Sequence, residues 1–283
     1  MCLLGATLFL WGAADHASRE FLAEASASSR PIDAGRSYRT RHAVAAMSLE
    51  QKIGQMMMVS IPSADLSDET AAWLVSHHIG GVILLGKNVR NRAQTISLIH
   101  DLQDRGRATG APLLFIAVDQ EGGVVSRFRF LEEMRPQHAL PDADAAYAAA
   151  RQRGQELKAL GVNINFSPVI DVASSADDFI ADRAFRGDAS TVASLGTAMI
   201  RGYHDAGVIA VPKHFPGHGG TITDSHRTLP TVARNTPEKD PHLVPFREAI
   251  MAGARMLMTG HITVPATDPK YPASISGAFG RIL

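Results

Sequence analysis

Cysteine is nearly missing from this chain. Cys2 is the single copy in 283 residues, which excludes an intrachain disulfide and any metal site built on thiolates. Net charge is missing as well. The 28 basic residues balance 28 acidic ones, so no electrostatic footprint points to nucleic acid or to an anionic membrane surface. No apolar run is long enough to span a bilayer. The N-terminal run, with Leu3-Leu4 and Leu8-Phe9-Leu10-Trp11 giving way to Ala13-Ala14, has the length of a secretory leader's apolar region followed by small residues suited to cleavage. The basic flank of a leader is absent, since no Lys or Arg precedes Arg19. A working leader would place the protein in the periplasm or outside the cell; without one it is cytoplasmic. The fingerprint G-x-G-x-x-G follows none of the strand-like runs, and Gly217-His218-Gly219-Gly220 lacks the lysine and spacing of a phosphate loop. Dinucleotide and P-loop folds are therefore disfavoured.

What is present is an ordinary globular composition, 45% hydrophobic and 20% charged, sufficient for a sizeable core. Residues 1–42 read as the leader-like segment followed by a tether or peripheral helix rich in Ala, Ser and Arg, and residues 43–283 as one domain. Within that domain, short apolar runs at 56–61, 80–86, 112–118, 162–169, 208–211 and 254–259 alternate with helical patterns at 47–55, 67–78, 91–106, 142–159, 190–206 and 243–252. Ser48 suits the N-cap of the first helix. Strands that alternate with helices imply a parallel sheet, and continuously apolar strands imply burial on both faces. Met56-Met57-Met58 reads as core filling.

Polar residues collect after four of these strands: Asp119, Asp171, Lys213 with His214, and His261. A (β/α)8 barrel explains this best, because all its βα loops open on one face. A doubly wound sheet would instead focus the site at one switch point. Asp171 suits a role in orienting the fourth loop, Asp177-Asp178 reads as a solvated pair, and His261 as a pocket-wall or structural histidine. The densest cluster is the segment Lys213 to Ser225, closed by His226. Asp224 and His226 are two residues apart, so an extended loop points both the same way. Such a pair suits acid/base work near neutral pH, the carboxylate fixing the tautomer of the imidazole.

Lys213-His214-Phe215-Pro216-Gly217-His218-Gly219 followed by Asp224-Ser225-His226 resembles the signature loop of glycoside hydrolase family 3, in particular its bacterial β-N-acetylglucosaminidases of cell-wall recycling. Asp119-Gln120-Glu121-Gly122-Gly123, Gly80 to Gly86 and Met258-Thr259-Gly260-His261-Ile262 are similar to further motifs of that family. The resemblance implies a (β/α)8 barrel that removes terminal β-linked N-acetylglucosamine, from peptidoglycan fragments or chitooligosaccharides, by a retaining mechanism. It implies a carbohydrate ligand, no cofactor or metal, no membrane span and a monomer. Asp119, Arg127, Arg183, Lys213 and His214 would bind the sugar, and His226 would be the acid/base oriented by Asp224. The chain departs from the pattern where Val124 replaces the arginine after the glycine pair. The family's nucleophile, an aspartate ending the seventh strand, is expected beyond Leu283, so the expectation is a barrel truncated after about six βα units. Two alternatives stand beside this reading. One is an inactive, sugar-binding barrel. The other is a metal-dependent hydrolase using His214, His218 and His226 with Asp224.

Overall fold

A computed structural model describes residues 34–282 apart from Thr109, His226 and Asn235. The leader-like run and the expected acid/base His226 lie outside the described residues. Helix α1 (Ala34–Ala46) leads into α2 (Leu49–Gln55). Ser48 separates them because its side chain competes for the first free N–H groups of α2. Its Oγ accepts from the Gln51 N–H at 3.2 Å, and its own N–H donates to Gln51 Oε1 at 2.9 Å, a reciprocal capping box.

Strands and helices then alternate: β1 (Met58–Ser60), α3 (Asp68–Ser76), β2 (Gly81–Leu84), α4 (Arg92–Arg107), β3 (Phe115–Val118), a small hairpin of β4 (Gln120–Gly122) and β5 (Val125–Ser126), α5 (Ala143–Leu160), β6 (Ile164–Asn165), α6 (Ala189–Asp205), β7 (Ile209–Ala210), β8 (Lys213–Phe215), α7 (Val244–Met251), β9 (Met258–Thr259) and α8 (Gly277–Gly280). Ser67, Asn91, Asp142 and Asp188 cap α3, α4, α5 and α6 through their side-chain oxygens, which satisfies backbone donors that a helix leaves unpaired.

The strands β1, β2, β3, β6 and β7 pair in that order, every pair parallel. β7 and β8 are halves of one stave interrupted at Pro212. The second half pairs with β9, and Lys213 bridges to Val169 of the preceding stave. Six parallel staves in chain order, joined by helical crossovers, form a TIM-barrel-like array. Alternation along each strand sorts the side chains. Ala117, Ile164, Phe166 and Val211 meet on the inner face with Met58, Ile83, Met256 and Met258. Val82, Leu84, Ile116 and Val118 face outward onto Leu98, Ile99, Leu102 and Leu157 of the helices. Ile170 and Ala210 face Met199, Tyr203, Phe246 and Phe279. Helices α5 and α6 approach closely where Gly202 lies against the Tyr147 carbonyl; a Cβ there would sit 2.5 Å from that oxygen.

The strands are shorter than the apolar runs suggest. Met56 and Met57 are 51% and 41% exposed, so only Met58 of the methionine triplet serves the core; the other two lie in the turn before β1. Among the described residues no helix is long and apolar enough to cross a membrane.

Candidate functional site

The C-terminal ends of the staves converge on one charged cluster. Its centre is Lys213, whose side chain is 2% exposed. The apolar run before it carries the backbone through the barrel, and only the last residues of the stave reach the rim. Lys213 Nζ lies 2.7 Å from Asp119 Oδ1, just past β3, and 2.6 Å from Glu121 Oε1 on β4. Arg183, from the long loop after β6, grips Glu121 with two bonds: Nε to Oε2 at 3.0 Å and Nη2 to Oε1 at 2.7 Å. Arg127 stands at the outer edge, with Nη2 3.8 Å from Asp119 Oδ2. Charges this deeply buried persist only when paired. Burial opposes the charge on Glu121, but Lys213 and Arg183 outweigh it and hold the carboxyl at about 2. Burial likewise works against the Arg183 cation, and Glu121 more than offsets it, raising the guanidinium above its ordinary value.

A second buried carboxylate organises the turn after β8. Asp171 Oδ2 lies 2.7 Å from His214 Nδ1, while Oδ1 accepts from the backbone N–H groups of His214 (3.0 Å) and His218 (2.6 Å). Burial opposes this charge too, yet His214 and the two N–H groups bring the carboxyl to about 2. For His214, burial is the main influence, and the Lys213 and Arg183 cations add to it. Together they exceed the pull of Asp171 and lower the imidazole below its ordinary value, so the ring is neutral at neutral pH.

The glycine turn is pinned from beneath. Arg234 Nη2 donates to the carbonyls of Gly217 (2.9 Å) and Gly219 (2.6 Å). Gly219 packs directly on the Val172 carbonyl, where any Cβ would collide. Asp178 accepts from the N–H groups of Ser174 (2.6 Å) and Gly220 (2.8 Å), and the Phe179 N–H donates to Thr221 at 3.0 Å. The His218 ring is buried between Phe179 and the edge of His214, with centroids 5.4 and 5.9 Å away. Past Thr221 the chain emerges, with Ile222 75% exposed. The Asp224 carbonyl accepts from the Arg227 and Thr228 N–H groups at 3.0 and 3.1 Å, closing a turn.

Asp119, Arg127, Arg183, Lys213 and His214 thus meet in one network, with Asp224 on the loop that leaves it. Glu121 was not named among the expected site residues, although its place two residues after Asp119 puts it on the same side of an extended chain. Asp178 is not solvated; it is buried because it ties two loops together. Asp171 steers the turn after β8 rather than only its own loop. His261 is exposed, with Nδ1 2.9 Å from Ser274 Oγ. Among the described residues no group of three His, Cys, Asp or Glu side chains is placed to hold a metal ion. The rim therefore offers cationic donors, one carboxylate edge and one imidazole nitrogen within a small space, a set suited to neighbouring hydroxyls.

Comparison with known proteins gives a consistent picture. The family model described as "Glycosyl hydrolase family 3 N terminal domain" matches residues 48–279. A protein named beta-hexosaminidase A from Pseudoalteromonas piscicida is 37% identical over 267 residues, covering 83% of this chain and 45% of that protein. A beta-hexosaminidase from Thiobacillus denitrificans is 38% identical over 231 residues, covering 78% of this chain and 63% of that protein. The chain thus spans about half to two thirds of the length of these relatives. Among solved structures, a glycoside hydrolase family 3 β-N-acetylglucosaminidase from Paenibacillus sp. superposes with a TM-score of 0.78 at 39% identity, over 82% of this chain and 46% of that one. NagZ from Neisseria gonorrhoeae, solved in complex with N-trifluoroacetyl-D-glucosamine, gives a TM-score of 0.70 at 30% identity, over 77% of this chain and 66% of that one.

Proposed function

This chain belongs to glycosyl hydrolase family 3 by its match to the family's N-terminal domain, and from that membership we propose that its barrel rim binds a terminal β-linked N-acetylglucosamine for hydrolysis with retention. The substrate class is peptidoglycan fragments or chitooligosaccharides. The observation that carries this reading is the network around Lys213, which sets Lys213, Arg183 and Arg127 as donors beside Asp119 and His214. Directed, charge-assisted hydrogen bonds of this kind are how a protein holds sugar hydroxyls.

In this proposal His226 is the acid/base, and Asp224 fixes its tautomer. Retaining hydrolysis also needs a carboxylate nucleophile. Asp119, Glu121 and Asp171 are each held by a cation or an imidazole, which suits them to structure and binding better than to attack. The nucleophile in this reading is a seventh-strand aspartate outside residues 1–283. The same observation favours a second reading for these residues by themselves, a barrel that binds sugar without turnover.

The test is hydrolysis of an aryl β-N-acetylglucosaminide by the 283-residue chain and by a longer chain carrying a seventh strand, each with and without His226→Ala. Activity that falls by about 10²–10⁴-fold on losing His226 supports the dyad. Undiminished turnover in the variant overturns it. Sugar binding without turnover by the 283-residue chain, beside turnover by the longer one, gives the second reading for these residues by themselves, and silence in both lengths overturns hydrolysis.

A further inference from the structure

An imidazole has two ring nitrogens, and in His214 one of them is already committed. Nδ1 lies 2.7 Å from Asp171 Oδ2. The other oxygen of that carboxylate is occupied by the N–H groups of His214 and His218. Asp171 is fully buried and ionised, and an ionised carboxylate only accepts. The shared proton therefore resides on Nδ1, which leaves a lone pair on Nε2. That nitrogen is 3.5 Å from Arg183 Nη2, a long contact, and Arg183 already spends shorter bonds on Glu121.

We propose that Asp171 is a positioning residue that locks His214 in the Nδ1–H tautomer, so that the rim presents Nε2 as a neutral acceptor among the cationic donors Lys213 and Arg183. The inference rests on the sugar-binding reading and adds a selection rule to it. The ligand must bring an O–H donor to Nε2. A carboxylate or fully ionised phosphate satisfies the cations but has no proton to offer this nitrogen, whereas a sugar hydroxyl donates to His214 and accepts from a neighbouring cation at once. The same three bonds of Asp171 hold the turn that carries Gly217 to Gly219, so the tautomer and the backbone path are set by one side chain.

Long-range proton–nitrogen correlation spectra of the histidine rings test the tautomer directly, with His214→Gln identifying the signal. The expected result is protonated Nδ1 and bare Nε2 at neutral pH. A ring protonated on Nε2, alone or together with Nδ1, overturns the proposal, and this measurement on the unaltered chain needs no variant of Asp171 to fold. Asp171→Asn supplies an amide N–H that donates to Nδ1 and should move the proton to Nε2. Titration with N-acetylglucosamine and its monodeoxy derivatives then separates positioning from bulk damage. The variant should lose about tenfold in affinity, the worth of one such hydrogen bond. That loss should vanish for the one deoxy sugar lacking the donating hydroxyl. An equal loss for every sugar refutes the positioning role. Failure of the unaltered chain to bind N-acetylglucosamine refutes the sugar-binding reading instead, and the spectra still decide the tautomer.

Discussion

Replacing Glu121 by Gln keeps the size of the side chain and removes its charge. In the folded protein this carboxylate faces Lys213 at 2.6 Å and Arg183 at 2.7 and 3.0 Å, and its own side chain is 2% exposed. The glutamine oxygen can still accept from Lys213 and Arg183 Nη2 where Oε1 stood, but its amide N–H group then faces the Arg183 Nε–H where Oε2 accepted, and both cations lose the charge that paired them. Breaking a buried pair from one side costs about 3–5 kcal/mol. A second route gives a similar figure. Folding carries the carboxyl from 4.5 to about 2, worth about 3 kcal/mol of stability. Because the folded value is the lower one, this contribution is complete above about 4.5 and is lost as pH falls towards about 2. Urea unfolding followed by circular dichroism reads both effects. At neutral pH the midpoint of Glu121→Gln should fall by about 1 M, for a slope near 3 kcal/mol per M. The gap between the two proteins should narrow once pH drops below about 4.5. Equal midpoints at neutral pH, or a gap that stays constant down to about pH 3, would refute the reasoning.

Two further outcomes are expected. Ser48→Ala removes the acceptor that starts α2 and should cost about 1 kcal/mol, read as a drop of about 2–4 °C in Tm; an unchanged Tm would show that the capping box contributes nothing. Asp178→Ala frees the N–H groups of Ser174 and Gly220, so hydrogen exchange at both amides should accelerate by about tenfold or more, and unchanged exchange at Gly220 would mean that this carboxylate does not anchor the turn.

Much of the architecture could be read from the chain because apolar runs and helical periods alternate with clear punctuation. The parallel order and the crowding of polar residues at strand ends follow from that alternation. The site was legible as a set of residue types, not as a wiring diagram. Glu121 meets Arg183 across 62 residues and Asp171 meets His214 across 43, and no local pattern encodes such a partner. Asp178 looks solvated beside Asp177 and two serines, yet it is buried because Gly220, 42 residues away, donates to it. The β4–β5 hairpin depends on Gln120, whose Oε1 accepts from the N–H groups of Arg127 and Phe128 at 2.9 and 3.0 Å; a side chain that stands in for backbone leaves no periodicity. The fifth apolar run ends at Val211, and Pro212 with the polar residues after it carries no apolar pattern. The backbone nevertheless continues, with the Met258 N–H donating to the Pro212 carbonyl at 3.0 Å.

The register of that stave against β9 shifts between Lys213 and Phe215. A local irregularity of this kind re-aims side chains. Lys213 points to the carboxylates of the rim, and Phe215, two residues on, turns into the helical layer against Phe246 and Phe279, with ring centroids 5.4 and 6.2 Å away. Durability and chemistry are therefore coupled through three consecutive residues. An engineer who repacks Phe215 for heat resistance also moves the ammonium that pairs with Asp119 and Glu121, and a library that varies Lys213 loosens an aromatic cluster on the far side of the sheet. Selection for either property at this stave is selection on both.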